Sequence, residues 1–517
     1  MTLLVASIAV ESLADAERQA NRAFAAGADA VELRIDGFDG DPNLIREFLT
    51  AHRDRTWIVT CRSAAEGGRF QGDTMERVSR LLAAARSTDA YVDFEYADWR
   101  RSSNIRQKIL LAAARPSGHG YRLILSAHDF QNPIRNGAGQ IAEILGDPAQ
   151  PVAKLAYQAP HINDSFAAID WMREHGPRVM AIAMGEDGLW TRILAKKFGA
   201  VGSFASLDEH SATASGQLTL DDMIHRYRWP DLNRETRVYG VIGDPVAHSM
   251  SPILFNTWFA EAGVNAVYFP LRVRGGELEL NGFLDACRDR SFLDIGGFSV
   301  TIPHKEHVLR WAGGGAESMA RWIGAANTLV FNGTKVRAFN TDCYAATASL
   351  AEAIGCPPRD LHDLTFDVLG TGGAARAMLY GLRELGCRVH LFGRSPDKTR
   401  ALAGEFGFEA VPWANRGSRT GQVLINSTSV GLWPQVEDSP MPVEAIQGCR
   451  LVFDLIYRPL RTRLLRDAEA CGIPTLSGLN MFLRQAAMQF ELWTGRAPDV
   501  ESGRRSVTAE LLGQPRR

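Results

Sequence analysis

FDVLGTGGAARAMLYGL, residues Phe366–Leu382, passes from a short apolar run through a glycine turn into a helical pattern. That order is the one a dinucleotide-binding lobe uses, a strand feeding a tight turn and then a helix. Gly370, Gly372, Gly373 and Ala374 would form the turn, in a G-x-G-x-x-A spacing completed by Ala375. Glycines there let the backbone approach a pyrophosphate, and the helix N-terminus faces the anion. A second strand pattern, CRVHLFGRS, follows at Cys387–Ser395. Where NAD sites usually carry an acidic residue, this chain has Arg394 and Ser395, with Lys398 and Arg400 close behind. An arginine at that point suits a 2′-phosphate, so the expected cofactor is NADP(H). The plainer alternative is a solvated basic helix start.

Outward from this turn, α/β alternation runs back to a fresh strand, RVYGVIG, at Arg237. Residues 237–340 read as one lobe, 341–475 as the nucleotide lobe, and 476–517 as closing helices that pack back on the first lobe. Before them, residues 226–236, RYRWPDLNRET, read as a linker because charge and a proline dominate. The first 225 residues hold eight short β-branched or apolar runs separated by amphipathic stretches. They begin at Leu3, Ala30, Trp57, Tyr91, Arg122, Val152, Val179 and Val201. Eight strand–helix units in that length predict a TIM (β/α)8 barrel. The fold class is therefore α/β throughout, a barrel followed by a two-lobed unit with a Rossmann-like lobe.

The chain has 517 residues, with 57 basic against 59 acidic side chains and a net charge of -2. That balance gives no electrostatic case for nucleic acid or an anionic membrane, so a charged ligand must be held locally. Seven scattered cysteines without a CxxC pair favour reduced thiols, a cytoplasmic setting and no structural zinc. MTLLVASIAVESLADAERQ lacks a basic leader and reads as a first strand, neither a signal peptide nor a Ser/Arg-rich transit segment. No apolar run is long enough to span a bilayer.

In a TIM barrel the site gathers at the C-terminal strand ends. There stand Glu32, Arg34, Arg62, Glu66, His128, Lys154, Arg192, Thr213 and Gln217. Lys154 lies within the apolar run PVAKLAY: either it reaches water at a strand end, or it is desolvated and serves as an uncharged, nucleophilic amine. Together the set resembles the type I 3-dehydroquinate dehydratases, through ELR, CRSAAEGG, the HDF histidine, the strand-borne lysine, MG followed by an arginine, and TASGQ. The resemblance implies that Lys154 forms a Schiff base with the C3 ketone of 3-dehydroquinate. His128 would move the C2 proton, with Glu66 orienting it. Glu32, Arg34, Arg62, Arg192, Thr213 and Gln217 would hold the hydroxyls and carboxylate. Ser215 stands where that family usually has proline.

The second half resembles the shikimate dehydrogenases, through GDPVAHSMSPILFN, GFSVTIPHK, GAANTL, FNTD, NSTSVGLWP, DLIYRPLRTRLL and GLNMFLRQA. By residue type, Lys305 and Asp342 suit the sharing of a proton beside a ketone that takes hydride. The resemblance makes them the catalytic pair and assigns Ser249, Ser251, Thr301, Asn327, Tyr457 and Gln485 to the substrate. It places Gly478 with the cofactor residues. Two departures are Gly393 for the usual Asn and Leu432 for the usual Met. The two reactions are consecutive, so the expectation is a bifunctional enzyme, with small-molecule substrates and no metal. The rivals are a second half that prefers quinate and a non-catalytic ligand sensor.

Overall fold

A computed structural model describes residues 2–117, 120–208 and 216–513, so expected site residue Thr213 and the departure at Ser215 lie outside the described residues. The chain divides into two compact units, Met1–Thr236 with Leu271–Arg274, and Arg237–Pro270 with Gly275–Arg517.

The first unit is the expected barrel. Its strands are β1 (Leu3–Ala9), β2 (Ala30–Arg34), β3 (Thr56–Thr60), β4 (Tyr91–Glu95), β5 (Leu123–Asp129), β6 (Val152–Gln158), β7 (Val179–Met184) and β8 (Gly202–Ala205). They run in the order β7-β6-β5-β4-β3-β2-β1-β8. The Val201 N–H donates to Val179 O at 3.0 Å, which brings the start of β8 beside the start of β7. Side chains alternate across each strand, so every second residue points inward. The lowest inward layer is apolar, with Val5, Ala30, Ile58, Ile124 and Phe204 in one cluster and Tyr91 and Val152 against it. Two residues further along the strands the inward set changes to Ser7, Glu32, Thr60, Asp93, Ser126 and Lys154. That change from oil to charge fixes which end of the barrel holds a site.

The stretch read as a linker is packed instead. Tyr227, Trp229 and Leu232 are buried. Lys196 Nζ donates to Trp229 O and Pro230 O, and Lys197 Nζ to Arg234 O and Thr236 O. Charge dominated the composition, but two aromatic anchors decide the conformation, since each buries far more apolar area than its neighbours expose.

The second unit holds two sheets. The first has β9 (Arg237–Gly243), β10 (Ala266–Arg272), β11 (Ile295–Val300), β12 (Thr328–Asn332) and β13 (Lys335–Phe339), ordered β10-β9-β11-β12-β13. The second has β14 (Thr365–Leu369), β15 (Arg388–Gly393), β16 (Glu409–Pro412), β17 (Val423–Asn426), β18 (Leu451–Asp454) and β19 (Thr475–Ser477). These are all parallel and ordered β16-β15-β14-β17-β18-β19, so the order reverses between β14 and β17. A ligand crevice opens at such a switch point. The helix Gly478–Thr494 packs back on the first sheet: Trp493 Nε1 donates to Leu329 O, and its ring lies 5.1 Å from those of Tyr239 and Phe255. Each such aromatic pair adds about 0.5–1.5 kcal/mol beyond burial.

Candidate active sites

In the barrel, Lys154 sits opposite Ser126 in the β5–β6 ladder, and His128 lies two residues beyond Ser126 on the same inward face. Lys154 is buried, and its Nζ donates to Asp93 Oδ2 at 2.8 Å and lies 3.5 Å from Glu32 Oε1 and 4.1 Å from the centre of the Phe204 ring. Lys154 therefore does not reach water at a strand end: two carboxylates pair with it, which makes its burial tolerable. Asp93 is the centre of this charge cluster. Its Oδ1 also accepts from Arg62 Nη2 at 2.8 Å and Ser126 Oγ at 2.6 Å. Burial opposes ionisation of Asp93, but Arg62 and Lys154 outweigh it and hold the carboxyl far below the usual range. Burial likewise opposes ionisation of Glu32, and Lys154 and Arg34 overcome it. Glu32 accepts from Ser7 Oγ and, at 2.7 Å, from Thr60 Oγ1.

His128 Nδ1 lies 2.9 Å from Glu66 Oε2, which also accepts the His128 backbone N–H at 3.1 Å. Burial, followed by the nearby Arg62 and Lys154 cations, holds the imidazole well below its usual value, so the ring is neutral. Burial pushes the Glu66 carboxyl up to about 7 against the pull of Arg62. A neutral histidine whose Nδ1–H is engaged by a carboxylate presents Nε2 as a base. Arg34 is gripped by Asp36 through two bonds of 2.9 and 3.1 Å. Arg192 is different: it is 2% exposed, burial alone lowers it to about 10, and among the described residues it has no carboxylate partner. Its Nη1 reaches Phe204 O at 3.4 Å, and its Nε has no partner among the described residues. Gln217 is brought over the end of β8 by the bridge Ser206–Thr219. The sequence reading missed Asp93 and Ser126, although YVDFEY places Asp93 two residues after Tyr91, on the same inward face.

In the second unit, Lys305 Nζ donates to Asp342 Oδ2 at 2.6 Å. Asn327 Nδ2 donates to Asp342 Oδ1 at 2.8 Å and Thr341 Oγ1 at 2.9 Å, and lies 3.4 Å from Gln485 Oε1. Thr301 follows β11, whose last residue, Val300, donates its N–H to Asn327 O. Ser251 N–H donates to Ser249 Oγ at 3.2 Å, and Tyr457 engages the Ser249 side chain while stacking on Phe482. The chain thus brings together all eight of these predicted positions around one end of the first sheet.

The nucleotide turn fits a bound dinucleotide. Gly370 has a φ of +114°, and a Cβ there would lie 2.6 Å from Ser427 Oγ, across the switch point. A Cβ on Gly373, which starts the helix Gly373–Glu384, would lie 2.9 Å from Lys305 Cδ. Gly372 and Ala374 flank it. Arg394, Ser395 and Lys398 are exposed beyond β15, and among the described residues Arg394 and Lys398 have no carboxylate partner, whereas Arg400 is tied to Asp397. The departure at Gly393 has a steric cause: a Cβ would meet Thr399 Oγ1 at 2.3 Å and Thr371 Cγ2 at 2.8 Å. Gly478 donates its N–H to Ile456 O, and its missing side chain lets the Leu455 carbonyl approach. Among the described residues no group of His, Cys, Asp and Glu could hold a metal, and no helix is long and apolar enough to cross a membrane.

Comparison with known proteins agrees with both halves. The Type I 3-dehydroquinase family matches residues 4–234, the shikimate dehydrogenase substrate binding domain residues 241–329, and the shikimate 5'-dehydrogenase C-terminal domain residues 478–508. A chloroplastic bifunctional 3-dehydroquinate dehydratase/shikimate dehydrogenase of Arabidopsis thaliana is 33% identical over 512 residues, covering 96% of this chain and 82% of that protein. A shikimate dehydrogenase (NADP(+)) of Methanocella arvoryzae is 39% identical over 53% of this chain and 99% of its own length. A crystal structure of a shikimate dehydrogenase in complex with NADP+ is 32% identical, with a TM-score of 0.50, over 54% of this chain and 97% of that one. Matched along both its barrel and its dinucleotide unit, the chain belongs to the bifunctional 3-dehydroquinate dehydratase/shikimate dehydrogenases.

Proposed function

We propose that the chain catalyses two consecutive steps of the shikimate pathway: dehydration of 3-dehydroquinate to 3-dehydroshikimate, then NADPH-dependent reduction to shikimate. The observation that supports the reading is a pair of side-chain clusters suited to proton transfer in one chain: Lys154 with a neutral His128 on the same inward face, and Lys305–Asp342 packed against Gly373 of the nucleotide turn.

In the first site the Lys154 amine adds to the C3 ketone and water leaves, giving an imine that acidifies the C2 protons. Asp93 and Glu32, both within 3.5 Å of Nζ, hold the Lys154 side chain in place for this attack. His128 Nε2 takes the C2 proton and returns it to the departing C1 hydroxyl, while Glu66 holds Nδ1. Water then hydrolyses the imine. Arg192, buried without a carboxylate of its own among the described residues, binds the substrate carboxylate, with Arg34, Arg62, Glu32, Thr213 and Gln217 on the remaining oxygens.

In the second site NADPH supplies the hydride when bound. Lys305 donates to the ketone oxygen as it gains charge, and Asp342 holds the ammonium in place. Ser249, Ser251, Thr301, Asn327, Tyr457 and Gln485 orient the carboxylate and hydroxyls. Gly370, Gly372, Gly373 and Ala374 would cradle the phosphates, Gly478 would be a further cofactor-binding residue, and Arg394, Ser395 and Lys398 would take the 2′-phosphate. All seven cysteines are free, which suits a reducing compartment such as the cytoplasm.

The test is to mix the chain with 3-dehydroquinate and NADPH, follow nicotinamide oxidation and identify the product. Shikimate is expected. Quinate would mean the second unit reduces the first ketone directly, and no turnover of either substrate would leave a ligand sensor.

A further inference from the structure

We propose that Glu95, with Arg77 as its counter-charge, is a positioning residue that fixes the loop carrying Arg62 and Glu66 and so aims His128. The inference rests on the dehydratase reading of the barrel. Glu95 ends β4, is 2% exposed, and faces inward two residues beyond Asp93. Its Oε1 accepts the Ser63 N–H at 3.0 Å and lies 3.3 Å from Arg62 Nη1; its Oε2 accepts from Arg77 Nη1. Arg77, on the helix Thr74–Ala85, also donates to Cys61 O at 3.2 Å and Asp98 Oδ2 at 2.6 Å, and its guanidinium lies 4.7 Å from the Phe94 ring centre.

The backbone is therefore gripped at Cys61 and Ser63, on both sides of Arg62, by one buried ion pair. Arg62 in turn bonds Asp93, the partner of Lys154. Directly after Ser63 comes the single turn Ala64–Glu66, whose carboxylate orients His128 through two bonds. Buried ion pairs repay their desolvation poorly, so stability alone is a weak reason to place one here. A loop held at two backbone atoms and one guanidinium is a strong reason, because an ångström of misplacement in such a site costs about 100-fold in rate. Asp98 shares Arg77, and its other side-chain partners among the described residues are Thr74 and Arg101, outside the loop, which makes it the natural control.

The experiment uses the full chain carrying Glu95→Gln, with Asp98→Asn beside it. Because Glu95→Gln leaves Arg77 less compensated, the double variant Arg77→Met/Glu95→Gln, which buries no unpaired charge at the pair, is measured as well. For both Glu95 variants the dehydratase kcat should fall about 10- to 100-fold with KM within about threefold. Borohydride with 3-dehydroquinate should still add mass to the Lys154 peptide, and reduction of added 3-dehydroshikimate should be unchanged. The pH limb set by Glu66 and His128 should shift, while Asp98→Asn keeps the unmodified profile. Full kcat in the Glu95 variants, or an equal loss in Asp98→Asn without a change in pH profile, would overturn the inference. Absence of trapped mass in the unmodified chain would overturn the dehydratase reading itself, and the inference with it.

Discussion

Glu66→Gln should make the barrel more stable at high pH while slowing its chemistry. Burial raises the Glu66 carboxyl from 4.5 to about 7, and its side chain is only 16% exposed. A carboxyl raised in the folded state contributes stability that is fully present below its unfolded value and is lost as pH rises through its folded value. The window here runs from 4.5 to about 7, and the whole loss amounts to about 3 kcal/mol. Glutamine cannot ionise, yet it keeps an oxygen for the His128 backbone N–H and, in one orientation, for Nδ1–H. At about pH 8 the variant should therefore be more stable than the parent by roughly 1–3 kcal/mol, and near pH 4.5 the two should agree within about 0.5 kcal/mol. Two compact units need not unfold together, so the readout is hydrogen exchange of peptides from β5 and β6, not a single melting point. The dehydratase rate of the variant should lose its dependence on pH around neutrality. A variant less stable than its parent at about pH 8, or a gain of equal size at both pH values, would refute the account of Glu66 as a carboxyl destabilised by burial.

Lys305→Met should lower NADPH-dependent reduction of 3-dehydroshikimate about 10²- to 10⁴-fold while leaving the dehydratase rate intact, as separate assays of the two reactions will register. Arg394→Ala should cut the kcat/KM preference for NADPH over NADH by about 10- to 100-fold, the worth of one or two lost charge-assisted bonds to phosphate; an unchanged ratio would place 2′-phosphate recognition elsewhere. Gly393→Asn, which installs the residue more usual in the family, should weaken NADPH binding unless Thr399 is also shortened, since the new Cβ would meet Thr399 Oγ1 at 2.3 Å. Recovery of binding in Gly393→Asn/Thr399→Ala, measured by fluorescence titration, checks the steric cause.

What the sequence by itself determined was everything carried by local pattern. The eight inward strands, the G-x-G-x-x-A turn and the Arg394 position are set by alternation, glycine and residue type within a few neighbours, and so were Lys154 at a strand and His128 at a strand end. Only the tertiary structure decided who meets whom. Asp93 and Lys154 lie 61 positions apart, and the curvature that closes eight strands brings them to 2.8 Å; parity alone says that Asp93 faces inward, never which cation it finds. The same holds for Lys305 against Gly373, for the clash that requires Gly393, and for the charged stretch 226–236, which two buried aromatics pin down. Hydrophobic periodicity acts along the chain and is legible there, whereas the charge state of a buried group depends on partners that the chain's path through space supplies.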